Sequence, residues 1–209
     1  MFVRNHMSAN PITVQPDDSI NYAGTLMKEY GIRHLPVVSE GQLVGVVTQT
    51  DIFKVSASPA TSLSIWELNY LIAKLAVKDA MTARVISVQE EAPVEEAALL
   101  MRQNKIGSLP VLNSTGKLVG IITETDLFDA ILDAMGSNTA TTRVVIECDD
   151  RPGELSRITG VIAEYGINIW SLVVFHPAEG IAHVVVRLQG ENLEGVFEKL
   201  ASEDLRLVR

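Results

Sequence analysis

The sequence predicts a mixed α/β fold of the α+β type: two βαββα units in tandem, then a separate βαββαβ module. Three observations carry this. The stretch "LVGVVTQTDIF", Leu43 to Phe53, returns as "LVGIITETDLF", Leu118 to Phe128, and such self-similarity marks a repeated structural unit. Within each copy, short apolar runs of strand character alternate with a stretch whose apolar residues fall at helical spacing. After Met135 the polar, Gly/Ser/Thr-rich "GSNTATT" interrupts the text, and a different order of elements follows.

The copies extend backward from those strands. "MSANPITVQPDDSINYAGTLMKEYGIRHLPVV" lies against "MTARVISVQEEAPVEEAALLMRQNKIGSLPVL" at a constant offset from Met7/Met81 to Val37/Val111. One residue is then inserted near Asn113–Gly116, as two copies of one fold tolerate in a turn. Each copy starts with an extended piece ("ITV", "VISV") and continues into an amphipathic helix, Ser19–Tyr30 or Pro93–Asn104. A strand follows at "LPVV" or "LPVL", its proline at the start, where a missing N–H is tolerated. A turn ("SEGQ", "NSTGK") leads to the second strand and to a helix opening near the aspartate. One unit alone would leave an apolar sheet face bare, so the two are expected to pack together. Residues 1–56 and 78–135 are thus the two units. Residues 57–77 connect them, and "SIWELNYLIAKL" within the connector predicts a helix able to cover that pairing or a subunit interface.

Residues 136–141 form a linker, and 142–209 a module of their own. "RVVIECDD", "INIWSLVVF", "GIAHVVVRL" and "LRLVR" read as strands, with helices over "RPGELSRITGVIAEYG" and "NLEGVFEKLASE". That order is the split βαβ, or ferredoxin-like, arrangement.

Composition narrows the function. Of 209 residues, 47% are hydrophobic and 21% charged, the balance of a soluble globular protein. No apolar run approaches the roughly 20 residues that span a bilayer, and the N-terminal stretch has no apolar core of a secretory leader. A single cysteine, Cys148, permits no internal disulfide and suits a reducing compartment. A cytoplasmic protein with no membrane partner is expected. Seventeen basic residues, scattered among 26 acidic ones, give a net charge of −9, which argues against a nucleic-acid partner.

The repeated Thr-x-x-Asp lies where a strand ends and a helix begins. Free N–H groups and the helix dipole there attract an anion such as phosphate. Thr48 or Thr123 would add a hydroxyl donor, and the carboxylate of Asp51 or Asp126 would accept from two ribose hydroxyls. Ile12, Ile86 and the neighbouring strands would sandwich a base. The same spacing also reads as an N-terminal cap, worth about 1 kcal/mol to the helix without any ligand. Repetition does not separate the two, because copies of a fold copy their caps.

The paired units resemble the CBS domain, named after cystathionine β-synthase, almost end to end. The matching pieces are "HMSANPITV" and "AMTARVISV", "GIRHLPVV" and "KIGSLPVL", "LVGVVTQTD" and "LVGIITETD". The resemblance implies one compact module with two symmetry-related clefts that often bind AMP, ATP or S-adenosylmethionine. It carries phosphate and ribose roles onto Thr48 and Asp51 in one cleft, and onto Thr123 and Asp126 in the other. The clefts are not equal. Arg33 and His34 stand where the second copy has Gly107 and Ser108, which favours a phosphorylated ligand in the first. A partly buried histidine bonded to backbone is the plainer reading of His34.

In "CDDRPGELSRI" a Pro–Gly turn separates a strand end from a helix start. Its amides would suit a carboxylate, and Asp149 or Asp150 an ammonium group; taken alone, a tight turn needing Gly153 for backbone freedom is the simpler explanation. "GINI" is expected to bring Asn168 to the same end of the sheet. From about Thr142 onward the chain resembles the ACT domain, with its D-x-P-G-x-L pattern at Asp150, Pro152, Gly153 and Leu155, and Asn168 in "GINI". The resemblance implies amino-acid effectors bound between paired ACT domains, and an unpaired edge strand is in any case a dimerisation surface. A CBS pair followed by ACT resembles the acetoin-utilisation AcuB family, which implies a link to acetoin or acetate metabolism.

An enzyme is not expected. The four histidines show no metal-ligand spacing with one another or with Cys148, and no Walker or Rossmann glycine spacing occurs. His176 and His183 could meet across a hairpin, but the gap "PAEGIA" gives no reason to prefer a metal site over plain surface. No cofactor is required; an adenosine nucleotide or S-adenosylmethionine is the candidate ligand. The expected function is a homodimeric regulatory protein sensing small-molecule effectors. The alternative is a ligand-free adaptor for a partner enzyme.

Overall fold

The structure, a computed structural model, describes residues 1–56, 75–137, 139–191, 193–203 and 205–208. The helix expected over "SIWELNYLIAKL" lies outside the described residues except for its last, Leu75. The chain divides into two compact units, Met1–Phe128 and Asp129–Arg209.

In the first unit, α1 (Ile20–Tyr30) begins where the Ser19 hydroxyl accepts the Tyr22 N–H at 3.1 Å. It ends at Gly31. It buries Ile20, Ala23 and Met27, one stripe of its surface. The second copy's helix α3 (Val94–Asn104) buries Val94, Ala97 and Met101 at the same spacing. Each helix is followed by an antiparallel hairpin: β2 (His34–Ser39) with β3 (Gln42–Thr48), and β5 (Ser108–Leu112) with β6 (Leu118–Thr123). Short helices close the copies, α2 (Gln49–Ser56) and α4 (Glu124–Ala134), the unit boundary falling within α4.

The two copies exchange their first turns. β1 (Ser8–Ala9) pairs antiparallel with β6 of the second copy, Ser8 opposite Ile121. Thr82 bridges Val46 of the first copy in the same sense. Val3 is fully buried in the second core with Leu109 and Ile122, whereas Val77 is fully buried in the first with Leu35 and Val47. Val77, the last residue of the expected connector, is therefore core. Burying a side chain of this size is worth about 1.5–3 kcal/mol, so each copy's stability depends on the other. Met81 lies directly over Gly45, and Met7 over Gly120. β4 (Val88–Gln89) runs parallel to β5 at the far side of that sheet.

The second unit is a four-stranded antiparallel sheet in the order β10-β7-β9-β8, made of β7 (Thr142–Asp149), β8 (Asn168–Ala178), β9 (Ile181–Gln189) and β10 (Arg206–Val208). Alternate residues Val144, Ile146 and Cys148 of β7 face the core. They meet Ile158 and Ile162 of α5 (Glu154–Glu164) and Val196 and Leu200 of α6 (Glu194–Ser202). Among the described residues no helix is long and apolar enough to cross a membrane.

Candidate functional site

The register of the first hairpin sets His34 opposite Thr48, and the Gln49 N–H donates to the Arg33 carbonyl at 2.9 Å. The strand-to-helix corner is thereby held against the "GIRH" turn. Within the corner, Asp51 Oδ2 accepts the Thr48 N–H at 3.0 Å and the Thr48 hydroxyl at 2.7 Å. The Asp51 N–H returns a bond to Thr48 Oγ1 at 3.2 Å. The second copy repeats this with Thr123 and Asp126 at 2.7, 2.8 and 3.4 Å. Both corners are caps in full. The Thr48 hydroxyl is spent on its own aspartate, so it reaches a phosphate only by exchanging that bond. The other carboxylate oxygen of Asp51 faces Lys54 Nζ at 3.9 Å.

A cavity of ≈ 610 Å³ opens over the first corner, within the range of small-molecule sites, about 300–1,000 Å³. Arg33, His34, Thr48 and Asp51 line it from the first copy; Arg84, Ile86, Lys105, Gly107 and Glu124 line it from the second. The exchange of first turns is what delivers Arg84 and Ile86 there. Val46, Ile106 and Pro110 supply further apolar wall. Ile12, Thr123 and Asp126 do not line this cavity; Ile12 packs against the first copy's core. Burial lowers the pKa of half-buried His34, and neighbouring Arg33 lowers it further, against the opposing pull of Glu124 and Asp51. Arg84, Lys105 and Lys54 went unrecognised in the sequence, where no spacing connects them to Arg33.

In the second unit a cavity of ≈ 340 Å³ is lined by Asp149, Asp150, Pro152, Gly153, Leu155 and Cys148, among others. Gly153 stands at φ +99°, which favours glycine there. The Glu154 carboxylate, nearly buried, pairs with Arg151 Nε at 2.7 Å and with the Arg157 guanidinium at 3.0 Å. Burial pushes the Cys148 thiol up, and Glu154 adds to the effect. Asn168 is a correction: it pairs with Gln189, and the same strand β9 meets Asp149 only at Ile181, its other end. Asn168 and Asp150 therefore sit at opposite ends of the sheet. The 11 residues of α5 cover about 16 Å at 1.5 Å each, and the helix carries the chain away from the Pro–Gly turn before Asn168 is reached. His176 and His183 pair with carboxylates and not with each other: His176 with Asp150 at 3.6 Å, His183 with Glu147 at 3.0 Å. Among the described residues no cluster of three or more His, Cys, Asp or Glu is placed to hold a metal.

The CBS domain model matches residues 3–58 and 77–133, and the ACT domain model matches 142–204. Among solved structures, the CBS domain pair of protein MJ0100 in complex with 5′-methylthioadenosine and S-adenosyl-L-methionine is 30% identical. It covers 66% of this chain and 98% of its own, with a TM-score of 0.55. CBSX2 in complex with AMP is 32% identical over 63% of this chain and 96% of its own, at 0.53. A Vibrio cholerae protein assigned to acetoin utilization (AcuB) is 29% identical over 66% of this chain and 95% of its own, at 0.55. The first curated relatives are longer: the chain spans 21%, 45% and 22% of their lengths.

Proposed function

The chain belongs to the CBS-domain family and carries an ACT domain behind its CBS pair, and from that premise we propose that it is a non-catalytic regulatory protein that senses adenosine compounds. The carrying observation is the cavity that brings Thr48, Asp51, Arg33 and His34 of one copy against Ile86 of the other. The carboxylate of Asp51 takes the ribose hydroxyls, Ile86 packs on the base, and the basic side chains meet a charged tail. By the pseudo-symmetry of the copies we propose a second, weaker site on Thr123, Asp126 and Ile12. Binding biases the arrangement of the two copies only through a differential affinity between states, typically about 1–3 kcal/mol. Structural neighbours that bind AMP, or 5′-methylthioadenosine and S-adenosylmethionine, support this reading.

For the ACT module we infer an amino-acid effector at Asp150, Pro152, Gly153 and Leu155. Asn168 joins such a site only from a second copy in a homodimer, since its own chain holds it at the far end of the sheet. We also propose a cytoplasmic location and a link to acetoin or acetate metabolism; of these, only the connection to acetoin has support from the AcuB neighbour's description.

The adaptor reading has one observation in its favour. Phe53 and Phe128, at matching positions of the copies, are 67% and 64% exposed, as residues awaiting a partner would be. Thermal melting of the full chain with AMP, ADP, ATP, S-adenosylmethionine and a set of amino acids separates the two. A ligand at 100 times its dissociation constant stabilises by about 2.7 kcal/mol, a visible shift. Silence from every compound at millimolar concentration favours the adaptor.

A further inference from the structure

The cavity's charge is opposite to the chain's. Among the described residues that line it, four permanent cations, Arg33, Lys54, Arg84 and Lys105, stand against two carboxylates, Asp51 and Glu124, on a protein of net charge −9. Such a local reversal concentrates anions at the cleft and repels cations from it. The charge is also distributed unevenly between the copies. By their register, the positions matching Arg84, Lys105 and Lys54 hold Asn10, Gly31 and Asp129. The pseudo-symmetric corner therefore receives none of these three cations and one additional acid.

Lys105 carries a second sign. It caps α3 in the left-handed conformation, φ 55° and ψ 44°, where Gly31 caps α1 at φ 65° and ψ 28°. Glycine is the usual residue there because it has no Cβ to crowd the carbonyl. The copy that keeps a lysine in this conformation is the one whose cap borders the cavity.

Resting on the adenosine-compound reading above, we infer that this cavity selects phosphorylated adenosine compounds over uncharged or sulfonium ones, that Arg84 and Lys105 of the second copy hold the phosphate, and that each chain carries one such site. Arginine and lysine differ in how they do so. The guanidinium offers a planar two-donor fork to phosphate oxygens, and the ammonium acts as a point charge.

The test is calorimetric titration of the full chain with adenosine, AMP, ADP and S-adenosylmethionine. The expected result is one AMP per chain, bound at least about ten-fold more tightly than adenosine, the scale of one charge-assisted hydrogen bond. S-adenosylmethionine should bind no better than adenosine. Arg84→Ala and Lys105→Ala should each shrink the AMP-to-adenosine affinity ratio, by weakening AMP more than adenosine. Arg102→Ala, which removes the same charge outside the cavity, should not. Equal binding of adenosine and AMP overturns the inference but leaves the adenosine reading standing, as do two equivalent AMP sites per chain or an unchanged ratio in Arg84→Ala. If no adenosine compound binds at all, the reading beneath it has failed. The wild-type ranking decides even where a variant does not fold.

Discussion

Asp51 and Thr48 bond each other reciprocally: one carboxylate oxygen takes both the N–H and the hydroxyl of Thr48, and the Asp51 N–H returns to that hydroxyl. The pair that caps α2 is also the floor of the larger cavity. Structure and recognition thus share one carboxylate, and its removal has two separable effects. Asp51→Ala and Asp126→Ala should each cost about 1 kcal/mol in denaturant melts, the value of a lost cap. Only Asp51→Ala should also abolish the thermal shift produced by AMP. Equal loss of that shift in both variants would show that the cavity over Asp51 is not the dominant site.

His34 should make stability depend on pH in one direction. Burial and Arg33 lower its folded pKa below the ordinary 6.5, outweighing Glu124 and Asp51. As pH falls through 6.5 the unfolded chain takes up a proton that the folded chain refuses. Stability is therefore full above 6.5 and declines until the lower, folded pKa is passed. His34→Ser, which copies Ser108 of the second unit, should flatten the decline in melting temperature measured across this window. A slope identical to wild type would contradict the assignment.

The exchanged first turns are tested at the glycines beneath the methionines. A Cβ on Gly45 would strike Met81, and one on Gly120 would strike Met7. Gly45→Ala should destabilise by about 1–3 kcal/mol, the cost of overpacking. Adding Met81→Ala should recover part of this, and a double-mutant cycle reads the coupling. Strict additivity would mean the two residues do not meet.

In the ACT module, Glu154→Gln removes the charge that pairs with Arg151 and Arg157. Both arginines reach solvent, so screening holds the expected loss to about 1 kcal/mol by chemical denaturation. The Cys148 thiol, raised in part by that carboxylate, should also titrate lower in the variant. An unchanged thiol titration would detach Glu154 from the cavity.

What the sequence revealed follows from what periodicity records. The stripes Ile20–Ala23–Met27 and Val94–Ala97–Met101 are visible because a helix writes its buried face at fixed spacing. The reciprocal corners were legible because they occur twice. The exchange of first turns was not, since a two-residue strand such as Ser8–Ala9 has no period. For that reason Arg84 gave no hint that it belongs beside Asp51. The sequence does not place Asn168, because the family motif states which residue occurs but not the direction in which α5 carries the chain. Lys105 is different: a lysine aligned with Gly31 at a helix end is a readable anomaly, and it marks the cavity.

The central claim is that the cavity between Asp51 and Ile86 receives an adenosine compound. A crystal structure of the full chain grown with millimolar AMP tests this most directly. The account predicts the nucleotide in that cavity, its ribose hydroxyls on Asp51 and its base against Ile86. A cavity closed by its own side chains, or AMP bound elsewhere with Asp51 still holding Thr48, would contradict it.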